Sequence, residues 1–200
     1  MISIKNLLSI FLLASFFVAC GNNSSNKGDA FYSEGQYKEA IMAYASYLEN
    51  KPNHVKVLYN KGRAHEELDE FKLAEQSFKQ ALKHDSKNTQ ILLSLSNLYH
   101  NNGKPELALM YADNAVSVSG APAMAYFLKA RSMHSLGNVK EALREYNTAI
   151  KMSPTNGQAY YYRGMLYAAT DQIGNACKDF KAAVKNDYAP AKESIKKYCK

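Results

Sequence analysis

Apolar positions in this chain follow the three- and four-residue spacing of helices with one buried face, and the whole pattern returns every 34 residues. Ala40, Ala74, Ala108, Ala142 and Ala176 mark the period. Four residues further on stand Tyr44, Phe78, Ala112, Tyr146 and Phe180, and three beyond those Tyr47, Ala81, Ala115, Ala149 and Ala183. Upstream in each copy lies a small residue: Gly28, Gly62, Ser96, Ala130 and Gly164. A period of this kind predicts one helical hairpin copied in tandem rather than a single irregular core. Small side chains let two antiparallel helices approach, and the bulky residues fill the space beside the crossing.

The breaks between helices are equally regular. Gly35, Asp69, Gly103, Gly137 and Asp171 occupy one column where the first helix of each hairpin must end, and Gly or Asp there takes the backbone conformations of a tight turn. Pro52 and Pro154 stop the second helices of repeats one and four. In the third repeat Pro105 reads as the first helical residue, and Ala112 stands where the other copies carry a ring, which predicts shifted or looser packing there. A stack of hairpins needs a polar-backed helix over its end. Ala189 to Cys199 supplies one, with Pro190 at its start and Ala191, Ile195, Tyr198 and Cys199 along one stripe. The first helix of repeat one is short and polar, so a frayed end, or one leaning on a partner, is expected.

Laid out at this period, the sequence from Gly21 to Pro190 resembles five tetratricopeptide repeats. The resemblance implies an all-α fold, a right-handed superhelix of five helix-turn-helix units with a C-terminal capping helix. The organisation expected is a leader over residues 1–19, a tether over 20–26, and repeats over 27–188 in frames beginning at 21, 55, 89, 123 and 157. The cap covers 189–200. In that family the first helices line a concave groove. The residues placed there by resemblance are Lys56, Tyr59, Arg63 and Glu66, then Leu93, Asn97 and His100, then Met124, Phe127, Arg131 and His134, then Tyr161 and Met165. Rings and arginines are common at binding hot spots, and the basic groups suit an extended peptide of some acidic character. Tyr59, Phe127 and Tyr161 are expected to be exposed in the groove. The family's known carboxylate clamp of Lys and Asn residues is matched by Ser25, Asp29, Tyr59 and Ser94, which departs from it.

Composition adds a location. Hydrophobic residues at 46% and charged residues at 22% are those of a folded protein. The formal charge of +7 is spread thinly, its densest run being Lys192, Lys196, Lys197 and Lys200, so no clustered nucleic-acid footprint is present and no nucleic-acid partner is expected. Met1 to Lys5 is a basic start, and the apolar run to Val18 is short for a membrane span, so the start of the sequence reads as a cleaved export signal. Phe17-Val18-Ala19-Cys20 resembles the lipobox of bacterial lipoproteins, with Phe17 where that family usually has Leu. The resemblance implies that Cys20 becomes the lipid-bearing N-terminus, with palmitate among its acyl chains. Asn22 is not acidic, which by likeness to the enteric sorting rule points to the outer membrane, on its periplasmic side.

Two further cysteines lie in the last repeat and cap. Folding the cap back brings Cys177 within about a helical turn of Cys199, and an exported protein meets an oxidising compartment, so a disulfide is open to them, as is burial of two thiols as small hydrophobes. The surrounding residues resemble a terminal-repeat pattern of tetratricopeptide proteins from Bacteroidetes-type bacteria. His100 and His134 occupy equivalent positions of adjacent repeats, a repeat spacing rather than that of ligands on one helix. No phosphate loop, nucleophile elbow or redox Cys pair is present. No enzyme and no cofactor are expected. The sequence therefore predicts a lipid-anchored adaptor that holds a protein partner in an envelope assembly, secretion or transport complex. The alternative is a periplasmic regulator of a cell-wall enzyme, or a metal-handling module using His100 and His134.

Overall fold

The computed structural model describes residues 23–200, which contain helices and no strands. The expected leader and Cys20, the expected lipid attachment point, lie outside the described residues. The helices are α1 (Asn23–Ser33), α2 (Tyr37–Asn50), α3 (Val55–Glu67), α4 (Phe71–His84), α5 (Thr89–Asn101), α6 (Pro105–Ser117), α7 (Ala123–Ser135), α8 (Val139–Met152), α9 (Gly157–Ala169), α10 (Ile173–Lys185) and α11 (Ala191–Tyr198). They pack as consecutive antiparallel pairs with α11 against α10. The protein divides into two compact units, one ending at His84 and one beginning at Asp85.

Every first helix of a pair ends on a left-handed residue: Gly35, Gly103 and Gly137 at φ 75°, 67° and 76°, and Asp69 and Asp171 at 57° and 59°. Asp tolerates this region because its short side chain hydrogen-bonds locally. At the starts, the side chains of His54, Asn88 and Asn156 accept from the amides of Val57, Ile91 and Ala159, capping α3, α5 and α9. α2 ends before Pro52, α8 before Pro154, and α6 begins at Pro105.

In the first unit the hairpins close on glycine. A Cβ on Gly62 would lie 2.6 Å from the Phe78 ring, and one on Gly28 would meet Tyr44. Ala40, Tyr44, Tyr47, Val57 and Ala64 form a buried cluster flanked by Phe31, Tyr32 and Tyr37. α1 begins at Asn23, inside the stretch expected as tether. The frayed end was expected because this helix is short and polar, but its polar residues tie it down. Asp29, midway along it, is bonded to Tyr44 of α2 and Asn60 of α3.

In the second unit the third repeat is not loose. Ala112 is fully buried in one cluster with Phe127, Leu128 and Tyr146, and Tyr99 stacks on Tyr111 at 5.4 Å. Polar and charged cross-links then tie α7 and α9 to the second helices on either side. Lys129 of α7 bridges Asp113 of α6 at 2.9 Å and Glu145 of α8 at 3.6 Å. Arg163, one period later, grips the buried Asp179 of α10 through Nε and Nη2 at 2.7 and 2.6 Å, and Asn147 of α8 at 2.5 Å. The paired fork geometry makes these the strong kind of ionic contact. A disulfide joins Cys177 of α10 to Cys199 after α11, with Cα atoms 5.7 Å apart. Phe180 stacks on Tyr198 at 5.9 Å beside it.

This packing generates two stability predictions. Gly62→Ala overpacks the crossing at a cost of about 1–3 kcal/mol, more than the roughly 1 kcal/mol gained in helix propensity, so urea unfolding shifts to lower concentration. Gly174→Ala, where a Cβ meets nothing within 4 Å, leaves it unchanged or slightly higher. Replacing Cys177 and Cys199 by Ser, which opens a loop of 22 residues' separation, destabilises the second unit by about 3 kcal/mol in the chain-entropy treatment. Unfolding of the wild-type protein with and without reductant gives the same difference.

Candidate functional site

The first-helix face of the first unit holds a cleft of about 290 Å³ lined by Asp29, Tyr32, Tyr44, Lys56, Asn60 and Arg63. Asp29 is its hub. One carboxylate oxygen accepts from the Tyr44 hydroxyl at 2.7 Å and from Asn60 Nδ2 at 2.8 Å, and the other faces Lys56 Nζ at 3.4 Å. Tyr32 donates to Glu67 Oε1 at 3.0 Å, and the Arg63 guanidinium lies 5.0 Å from the centre of the Tyr32 ring. Burial and the bond to Glu67 push Tyr32 up to about 12, and burial with the bond to Asp29 pushes Tyr44 up as well. Both phenols are therefore protonated donors at neutral pH. Lys56 and Arg63 are exposed, Tyr59, expected to be exposed, is half-buried with its ring 5.6 Å from Phe78, and Glu66 is half-buried beside Arg63. Tyr32, Tyr44 and Asn60 were not anticipated as lining residues. Tyr32 shares a column with Glu66, His100 and His134, which was the available signal.

In the second unit the corresponding face is more closed than expected. Phe127 is buried, not exposed: the Tyr146 ring lies 6.2 Å and the Tyr162 ring 5.8 Å away, and the Arg131 guanidinium covers it at 5.7 Å. Arg131 is itself buried, only 8% exposed, and donates from Nη2 to Asn97 Oδ1 at 2.7 Å. Tyr161 is packed among Tyr162, Phe180 and Tyr188. Met165 packs toward the cap, receiving a contact from Ser194 Oγ at 3.8 Å, so neither faces an open groove. The cap and its connector cover them. Leu93, Asn97, His100 and His134 are half-buried, and Met124 is exposed. The histidines do not gather a metal set: no cluster of three or more His, Cys, Asp or Glu side chains occurs among the described residues, and the Arg131 charge acts directly on His100. A dication is disfavoured beside a buried guanidinium.

These environments set opposite pH dependences in the two units. Burial first, then the charges of Arg131 and His134, lowers His100 from 6.5 to about 4, and burial lowers His134. Between those values the unfolded protein binds more protons than the folded one, so stability falls as pH drops from about 6.5 toward 4. Glu66 runs the other way. Burial, aided by Glu67 and opposed by Arg63, raises it from 4.5 to about 7, so the folded form binds the extra proton and stability falls as pH rises through that window. His100→Gln is expected to unfold at higher urea than wild type at about pH 5 and near the wild-type value at about pH 7. Glu66→Gln should gain stability at about pH 8 and none at about pH 4. Hydrogen exchange localises each effect to its unit.

Among the described residues no helix is long and apolar enough to cross a membrane. Comparison with curated protein sequences finds no match. Among solved structures, a crystal structure of the MamA protein is 23% identical with a TM-score of 0.72, covering 88% of this chain and 94% of that one. YrrB, described as a TPR protein with an unusual peptide-binding site, is 22% identical with a TM-score of 0.71, covering 88% and 92%. PilW, described as a widely conserved type IV pilus biogenesis factor, is 18% identical with a TM-score of 0.75, covering 83% and 77%. At these identities the likeness concerns the fold, an all-α array of helix pairs. Profiles of the tetratricopeptide repeat match residues 25–90 and 59–123, 130–171, and 157–190. With most of its length so matched, the protein belongs to the tetratricopeptide repeat family.

Proposed function

We propose that this protein is a lipid-anchored adaptor of the bacterial outer membrane, facing the periplasm, that holds a protein partner in an envelope assembly, secretion or transport complex and performs no catalysis of its own. The observation that carries the reading is the cleft on α1–α3, where Lys56 and Arg63 stand exposed beside the rings of Tyr32 and Tyr44. Exposed cations next to rigid aromatic walls are the composition of a protein-binding hot spot. A peptide-binding site in YrrB and a part in pilus biogenesis for PilW are consistent with a role of this class. Support for the anchor comes from the leader and Phe17-Val18-Ala19-Cys20, because two acyl groups hold a protein durably where a single short one does not. The metal-handling alternative using His100 and His134 is weakened by the nearby Arg131 charge, and no observation favours regulation of a cell-wall enzyme.

Cys20→Ala is expected to move the protein from the membrane pellet to the soluble fraction without changing its helical circular dichroism; retention in the pellet counts against the anchor. In crosslinking purification from native membranes, Lys56→Ala with Arg63→Ala should cut recovery of the co-purifying partner about tenfold or more. Undiminished recovery from a folded double variant would remove the cleft from the interface.

A further inference from the structure

Three buried side-chain polar atoms lack a hydrogen-bond partner among the described residues, and all three belong to one cluster on the first-helix face of the second unit: His100 Nδ1, Arg131 Nε and the Tyr146 hydroxyl. Residues from three helices bring them together. Asn97 and His100 lie on one face of α5, and Asn97 is bonded to Arg131 of α7 at 2.7 Å. His134, one turn along α7, sets its ring edge-on to Tyr146 of α8 with centroids 6.4 Å apart. Tyr146 is fully buried, while Asn97, His100 and His134 are half-buried.

The charge balance of this cluster is unusual for a protein interior. Arg131 is more than nine-tenths buried, yet no carboxylate pairs with it among the described residues. Its contacts are Asn97, the Phe127 ring and tyrosines. Elsewhere in the same unit the fold does not leave cations so: Lys129 has Asp113 and Glu145, and Arg163 has Asp179. A guanidinium held out of water without a counter-charge is strongly disfavoured, as is each unbonded polar group beside it. Water alone would satisfy the hydrogen bonds and leave the charge uncompensated. A metal cation would add to it.

We propose that this cluster is a receiving site for a carboxylate presented by the bound partner, with Arg131 Nε and the Tyr146 hydroxyl as its donors and the His100 and His134 rings as its rim. A carboxylate has the two acceptor oxygens and the single negative charge that the cluster lacks, and proteins carry that group on Asp and Glu residues and at the C-terminus. On this proposal a half-buried imidazole turns aside to admit it. The site deepens the adaptor reading, on which it rests for the identity of the occupant, by naming the partner chemistry that this face selects. It is a different set of residues from the α1–α3 cleft, whose own acid, Asp29, already pairs with Lys56.

The test is a titration of the His100 and His134 ring signals by nuclear magnetic resonance at neutral pH, using the full-length protein and sodium acetate as first probe, with sodium chloride at matched ionic strength as control. Both rings should shift saturably with acetate and not with chloride. Two peptides then separate the sources: acetyl-Ala-Glu-Ala-amide carries only the glutamate carboxylate, and acetyl-Ala-Ala-Ala with a free C-terminus carries only the terminal one. The arm that shifts the rings identifies the source, and acetyl-Ala-Ala-Ala-amide should do nothing. Arg131→Gln should weaken acetate binding about tenfold or more. Tyr146→Phe, which removes an unbonded hydroxyl and so keeps the fold, should weaken it about threefold with an unchanged or raised midpoint of thermal unfolding. A flat acetate titration, or equal affinity in wild type and in Tyr146→Phe, overturns the site. Partner recovery from native membranes is a separate measurement, so a flat titration with recovery intact overturns this inference alone and leaves the adaptor standing.

Discussion

The close crossing of two helices at a residue with little or no side chain is the constraint on which the rest of this structure depends. At Gly28, Gly62 and Gly164 the ring of Tyr44, Phe78 or Phe180 sits where a Cβ would be, and at Ser96 and Ala130 the small side chain is itself fully buried. Because the ring column belongs to the second helix and the small column to the first, each hairpin is locked at one separation and one rotation. That rotation decides which first-helix residues are turned away from the crossing and are free to bind anything else.

Polar contacts refine what the apolar crossing begins. Asp29 holds α1 to α2 and α3 through Tyr44 and Asn60, and in the second unit Lys129 and Arg163 each join three helices. An ion pair of this sort adds little net stability over an apolar substitute, but losing one partner strands the other in a place water does not reach. Its effect is therefore on register. Arg131 is the exception that gives the second unit its chemical character, a buried charge with no paired acid among the described residues.

The hairpins, their turns and the cap were legible from the sequence because each depends on residues close together along it. The left-handed column at Gly35, Asp69, Gly103, Gly137 and Asp171 is a local matter of backbone sterics. Lys56 and Arg63 were legible for a related reason: on an exposed helix face a long cation stays at the surface wherever its neighbours are. Phe127 and Met165 were not. Helical spacing gave each a side of its helix, but whether that side is open depends on Arg131 and Tyr162 over Phe127 and on the cap helix beside Met165.

What the sequence by itself determined was the repeat of helical hairpins and the turns between them, since a 34-residue period and helical spacing express local geometry. Tertiary structure alone decided which charges meet. Whether a cation finds an acid, as Arg163 finds Asp179, or finds only amide and rings, as Arg131 does, turns on ångström separations between helices. No periodicity in the sequence encodes that distance, because it is set by the side chains packed at every crossing at once.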